Sequence, residues 1–262
     1  MTIRIKPKLR FSYDFARGSF EQRTLHTEKI NENIFIGLLK MYENTEFVKI
    51  KNIEKKYNQI VPEKKYININ HVKTEDTFGG LFSPNYSLKG LENFKILFLT
   101  PEKDVPIETL SVLLHESMHY LDFLMNPKFI RTSNKIELEH SKTSDKMWYF
   151  FKEYFYNENN PIKPNSVLFK QGMQKLKHFL KKLSVEEKIL SLKYLKQNLF
   201  LEQHAYSESR KYAQILQIMK KPYLGNDINC GLDYEFDKKI NIINEILCKI
   251  IQKERTKKIR KK

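Results

Sequence analysis

The strongest constraint on the fold is a change of hydrophobic period near Pro101. Upstream of it, short β-like segments crowd the chain: Ile3-Arg4-Ile5, Phe47 to Ile50, Tyr66 to Ile69 and Phe94 to Leu99. They combine β-branched and aromatic residues over a few positions, as strands do. One upstream stretch, Thr27 to Tyr42, has helical spacing instead, with Ile30, Ile34, Leu38 and Met41 recurring on one face. Gly79-Gly80 and Ser83-Pro84-Asn85 read as loops. Downstream of Pro101 the period is helical. One helix is expected from about Pro106 to Met125, ending at Asn126-Pro127 because proline disfavours helical geometry in the residue before it. Others are expected over Ile136 to Tyr156, Ser166 to Lys182, Val185 to Lys220 with a break near Asn198, and Tyr234 to Lys253. Ser184-Val185-Glu186-Glu187 spells a capping box, and Asn159 to Asn165 is the clearest linker. Strands first and helices afterwards predict an α+β fold. The expected layout is one domain over 1–262: a sheet-rich part (1–104), a central helix (105–126), a helical part (127–250) and a basic tail (251–262).

Composition bounds the function. Hydrophobic residues make up 40% of the chain, enough for a packed core. Cys230 and Cys248 form no C-x-x-C pair and no disulfide framework, so they read as small buried hydrophobes in a reducing cytoplasm. Met1 to Pro7 lacks the apolar run of a secretory signal, and the longest apolar runs, such as Ile34 to Leu39, are too short to span a bilayer. A cytoplasmic protein without membrane contact is expected. The net charge of +16 points to polyanions, yet only eight of the 47 basic residues are Arg, the residue favoured for bidentate phosphate contacts. Lys, Asn and Ile are abundant together, as an AT-rich coding sequence would produce. Weak, non-specific nucleic-acid binding is therefore the extent of that expectation. Trp148, inside Met147 to Phe151, reads as core and not as a base-stacking platform.

The chemistry lies in Leu113-Leu114-His115-Glu116-Ser117-Met118-His119-Tyr120-Leu121-Asp122. His115 and His119 are four apart, so on a helix they project from one face, one turn apart. Two imidazoles so placed reach one tetrahedral Zn²⁺ at about 2.0–2.1 Å each. Glu116 points beside the ion, where it can take a proton from a metal-activated water and pass it to the leaving group. Val112, Leu113, Met118, Leu121 and Met125 give the helix an apolar side, leaving the His/Glu face for a cleft.

At these residues the chain resembles the zincin metallopeptidases. The resemblance covers the H-E-x-x-H helix and, more loosely, the strand before it and the helices after it. It implies a zincin-like fold, one zinc per chain, and a peptide or protein substrate whose bond is hydrolysed by Glu-assisted attack of zinc-bound water. It also implies an edge strand lying over the active-site helix to pair with extended substrate, a role that falls to Phe94 to Leu99; an ordinary core strand is the other reading of that segment. Catalytic zinc usually has three protein ligands, and the metzincin extension is absent, with Asp122 where its glycine would stand. A later Glu, as in gluzincins, is implied as the third ligand. Glu202 is preferred: it precedes Ala205 by three residues, and the small side chain would let two helices approach. Glu139, much nearer His119 in sequence, is its rival, and Glu208 and His140 follow. Asp122 would either orient a ligand histidine by a hydrogen bond or be a plain helix-end acid. Tyr206, one turn after Glu202, is placed to donate to an oxyanion; His204 points away from Glu202 and is left out. Two other functions are compatible with the same residues: a zincin-like protein with structural zinc or no activity that binds nucleic acid, and a zinc hydrolase of a non-peptide bond.

Overall fold

A computed structural model describes residues 20–61, 67–73, 79–87, 90–100, 104–157, 161–223 and 234–260. The expected strand Ile3-Arg4-Ile5 and Cys230 lie outside them. The described residues are mostly helical with two small sheets, an α+β composition.

Helix α1 (Phe20–Leu39) buries Ile30, Ile34 and Leu38, the face read from its spacing, and runs into a 3-10 turn at Lys40–Tyr42. β1 (Phe47–Lys49) ends one residue before the expected strand, because Ile50 opens a helix that the sequence reading did not anticipate, α2 (Ile50–Ile60). Its pattern was readable: Ile53 and Tyr57, four apart, are the buried positions.

β2 (Ile67–Lys73), β3 (Gly79–Ser87) and β4 (Gly90–Thr100) form a mixed sheet in the order β2-β4-β3, with β2 parallel and β3 antiparallel to β4. Two expectations change here. Phe94 to Leu99 is the middle strand, hydrogen-bonded on both sides, so it offers no free edge to a substrate. The supposed loops at Gly79-Gly80 and Ser83-Pro84-Asn85 belong to β3, an outer strand with a register shift at Asn85/Tyr86. Proline is tolerated on an outer strand because a missing N–H there breaks no ladder. The short β5 (Asp104–Pro106) pairs antiparallel with β1.

After a 3-10 turn, α3 (Leu110–Met125) carries the His/Glu motif. It stops at Asn126 as expected, but Pro127 then opens another helix, α4 (Pro127–Asn134), at the position where its fixed φ is an advantage. The helix expected over Ile136 to Tyr156 is three pieces: a π segment Lys135–Glu139, α5 (Ser141–Phe150) and a second π segment Phe151–Phe155. α6 (Val167–Lys181) begins at a Ser166 cap. α7 (Val185–Ile218) is unbroken at Asn198, and both hydrogen bonds of its Ser184–Glu187 capping box are formed. α8 (Phe236–Arg260) continues through most of the basic tail.

Two apolar clusters share α7. Leu201, Ala205, Tyr212 and Leu216 pack with α1, α2 and α3, whereas Leu192, Leu195 and Leu199 pack with α5, α6 and α8. At Gly172 of α6 an added Cβ would overlap the Tyr154 side chain, so only glycine permits that helix to lie against the second π segment. Among the described residues no helix is long and apolar enough to cross a membrane.

Candidate metal centre

α3 is buried along most of its length, its apolar side chains packed against neighbouring helices. Leu110, Leu113, Leu114, Met118, Tyr120 and Leu121 are buried. Its Ser117 hydroxyl shares a 2.7 Å hydrogen bond with that of Tyr57, and Asn31 donates to the Leu114 carbonyl. These contacts fix both its rotation and its height against α1 and α2. The polar side that remains meets α7, where fully buried Ala205 lets the two helices come together and Glu202 stands one turn earlier.

There the two imidazoles and the carboxylate converge. Nε2 of His115 is 3.5 Å and Nε2 of His119 is 3.8 Å from Oε2 of Glu202. The imidazoles are nearly perpendicular, with centroids 4.9 Å apart. One donor atom from each of the three residues lies within 4.8 Å of the others. Donors held at about 2.0–2.1 Å around a tetrahedral ion stand about 3.3–3.4 Å from one another, so the two measured edges fit a zinc after small adjustments. Protonation fits as well. Burial drives the His119 pKa down to about 4, against the attraction of Glu202, so its ring is neutral at pH 7. Burial raises the Glu202 carboxyl, but the two imidazoles, one of which (His115) hydrogen-bonds to it, and the Lys152 ammonium outweigh burial, and the net shift is downward. A neutral imidazole and an ionised carboxylate are the forms that coordinate a metal. Glu116, beside His115 in the chain, is 6% exposed.

Tyr206 also reaches the site. Its ring packs edge-on against His115 with centroids 4.7 Å apart. The hydroxyl shares a 2.8 Å hydrogen bond with that of Tyr156, and the ring stacks on Tyr234 and Phe236. Lys152, on the second π segment, lies over the Tyr156 ring and close enough for its charge to act on His119 and Glu202. Sequence reasoning passed over both Tyr156 and Lys152, for no motif marks either.

His204 does face away from Glu202, but into a second polar cluster. Its Nδ1 is 2.8 Å from Oδ2 of Asp122 and its Nε2 is 3.3 Å from Oε1 of Glu28. Burial lowers the pKa of the ring, but the two carboxylates outweigh it and the net shift is upward, favouring the imidazolium. Asp122, fully buried, is therefore not a plain helix-end acid; it pairs with His204, not with His115 or His119, through Oδ2. A signal for this pairing existed: an acid lies three residues after His119 and an imidazole two residues after Glu202.

The other candidates fall elsewhere. Glu139 is exposed at the end of a π segment, His140 lies 3.5 Å from Glu187, and Glu208 accepts from the Tyr212 hydroxyl. Trp148, expected in the core, is 44% exposed with the Lys152 ammonium over its ring, and Cys248, expected to be buried, is exposed. Both stand on exposed helix faces, which local hydrophobicity cannot reveal.

Comparison with family models, curated proteins and solved structures finds no match for this chain. The functional reading rests on the residues themselves.

Proposed function

We propose that the chain is a zinc metallopeptidase of the Glu-zincin type, with His115, His119 and Glu202 as metal ligands and Glu116 as the general base. The observation that carries this reading is the meeting of Glu202 with the two imidazoles at distances that small adjustments bring to the edges of a tetrahedral site. A zinc ion held there supplies Lewis acidity for a carbonyl and a water acidic near neutral pH. Glu116 takes the proton of the attacking water and delivers it to the departing amine. The Tyr206 hydroxyl, oriented by Tyr156, donates to the oxygen on which negative charge develops. β3 supports the peptide reading: it packs against α3, and among the described residues its outer edge pairs with no strand. An extended peptide would find free backbone N–H and C=O groups there.

The test is metal content and hydrolysis on the full chain. Purified protein should hold about one zinc, and His115→Ala or His119→Ala should remove it. Glu116→Gln should keep the metal and lose on the order of 10²–10⁴-fold in turnover of a mixed peptide library. Unchanged turnover in Glu116→Gln would end the mechanism.

A further inference from the structure

A second feature lies apart from the metal ligands, in the groove between α5 and α6. It is an open surface groove of about 530 Å³. Lys146 of α5 and Lys175, His178 and Lys182 of α6 and its cap line it, all exposed. None of the residues lining it is acidic, and α6 carries no Asp or Glu in its whole length. Glu153 is the acid whose charge reaches Tyr149 and Lys175. Lys175, His178 and Lys182 occupy positions i, i+3 and i+7, so their basic groups follow one helix face for about 10 Å. Aromatic rings share the groove: Tyr149 is 43% exposed, Phe179 is part-buried, and Phe150 is buried beneath them. The Lys146 ammonium sits 4.6 Å from the Tyr149 ring centroid, so cation and ring are presented together.

We propose that this groove binds single-stranded nucleic acid, its lysines neutralising backbone phosphates and Tyr149 offering a face on which a base stacks. A lysine-lined track beside an exposed aromatic ring is the combination that such strands use. Acidic peptides would use the charge but leave the rings without a partner. The assignment gives the basic composition a location and is independent of the metal centre.

The experiment is fluorescence anisotropy of labelled oligothymidylate and oligouridylate on the full chain at increasing salt. Each phosphate neutralised on a single strand contributes about −0.7 to the slope of log K against log salt. The triple variant Lys146→Gln, Lys175→Gln, Lys182→Gln should therefore flatten the slope by about 2 and weaken binding at low salt. Tyr149→Ala should weaken binding about ten-fold while leaving the slope unchanged, since stacking releases no counterions. Lys257→Gln with Lys258→Gln, on the tail, should alter neither. Lys175 donates to the Tyr154 hydroxyl and Tyr149 packs against Phe150 and Tyr154, so circular dichroism melts establish that each variant is folded at the assay temperature before its binding is read. No binding by wild type, a slope indifferent to the triple variant, or loss of binding on the tail change alone would overturn the assignment. So would poly-glutamate binding as tightly as the oligonucleotides with Tyr149→Ala silent, which would make the groove an acidic-peptide surface.

Discussion

Glu202 and Glu139 are the same side chain, one inside an α-helix and one at the end of a π segment, and their surroundings separate them. Glu139 ends a π segment in solvent, whereas Glu202 is 14% exposed and faces two imidazoles across the α3–α7 contact. A ligand lost from a three-residue site should cost more than the about 10–100-fold in metal affinity that follows removal of an outer hydrogen-bond partner. Glu202→Ala should exceed that figure in a zinc competition titration, and Glu139→Ala should leave affinity unchanged. The opposite ranking would relocate the third ligand. Tyr206 stands differently, because its ring is also part of the Tyr156, Tyr234 and Phe236 stack. Its packing and its proposed chemistry therefore reside in one side chain.

Helices bring those residues together only if their own docking is held, and buried polar groups hold it. His204 joins α7 to Asp122 of α3 and Glu28 of α1, close to the ligand on each of the first two helices. Asp122→Ala would leave His204 buried without its closer carboxylate and should cost about 3–5 kcal/mol in urea unfolding. The double variant Asp122→Leu, His204→Leu should cost markedly less, because it removes both charges from the interior. Equal losses in the two variants would mean that packing, not the pair, joins the helices. A comparable device lies under the second π segment. Lys239 of α8 is fully buried and donates to the Phe155 carbonyl at 2.7 Å, against the rings of Tyr234 and Phe236. Burial pushes that ammonium down to about 8. It answers a carbonyl at the end of the wider π turn, where the regular helical ladder stops.

At the scale of the whole molecule, α7 is the common member. Its 34 residues span about 51 Å and contribute to both apolar clusters, and its middle carries Glu202. A metal bound by α3 and α7 would join segments far apart in sequence and would bind only the folded chain. Occupancy at about 1,000 times the dissociation constant adds roughly 4 kcal/mol of stability. For a chain of this size, that corresponds to on the order of 10 °C in melting temperature. Chelation should lower the melting temperature by this amount in wild type and by almost nothing in Glu202→Ala. A chelator-insensitive wild type would show that no bound ion bridges the two helices.

Local chemistry was legible in the sequence wherever neighbours along the chain decide the outcome. The His115–His119 spacing, the Ser184 capping box, the stop at Asn126 and the apolar face of α1 all depend on residues within a turn or two. Ala205, one turn after Glu202, marked a place where helices could approach, but that α7 brings Glu202 to the α3 imidazoles is a long-range contact. What lay beyond reach depends on partners brought from afar. Gly79-Gly80 and Ser83-Pro84-Asn85 look like loops until β4 pairs with them, and Phe94 to Leu99 reads as edge or core strand until β2 closes its other side. Asp122 is ambiguous until His204 arrives, and Trp148 looks like core although folding leaves its helix face exposed. Hydrogen bonding and burial are satisfied across space, so a strand's rank in its sheet and a carboxylate's partner are decided by tertiary structure alone.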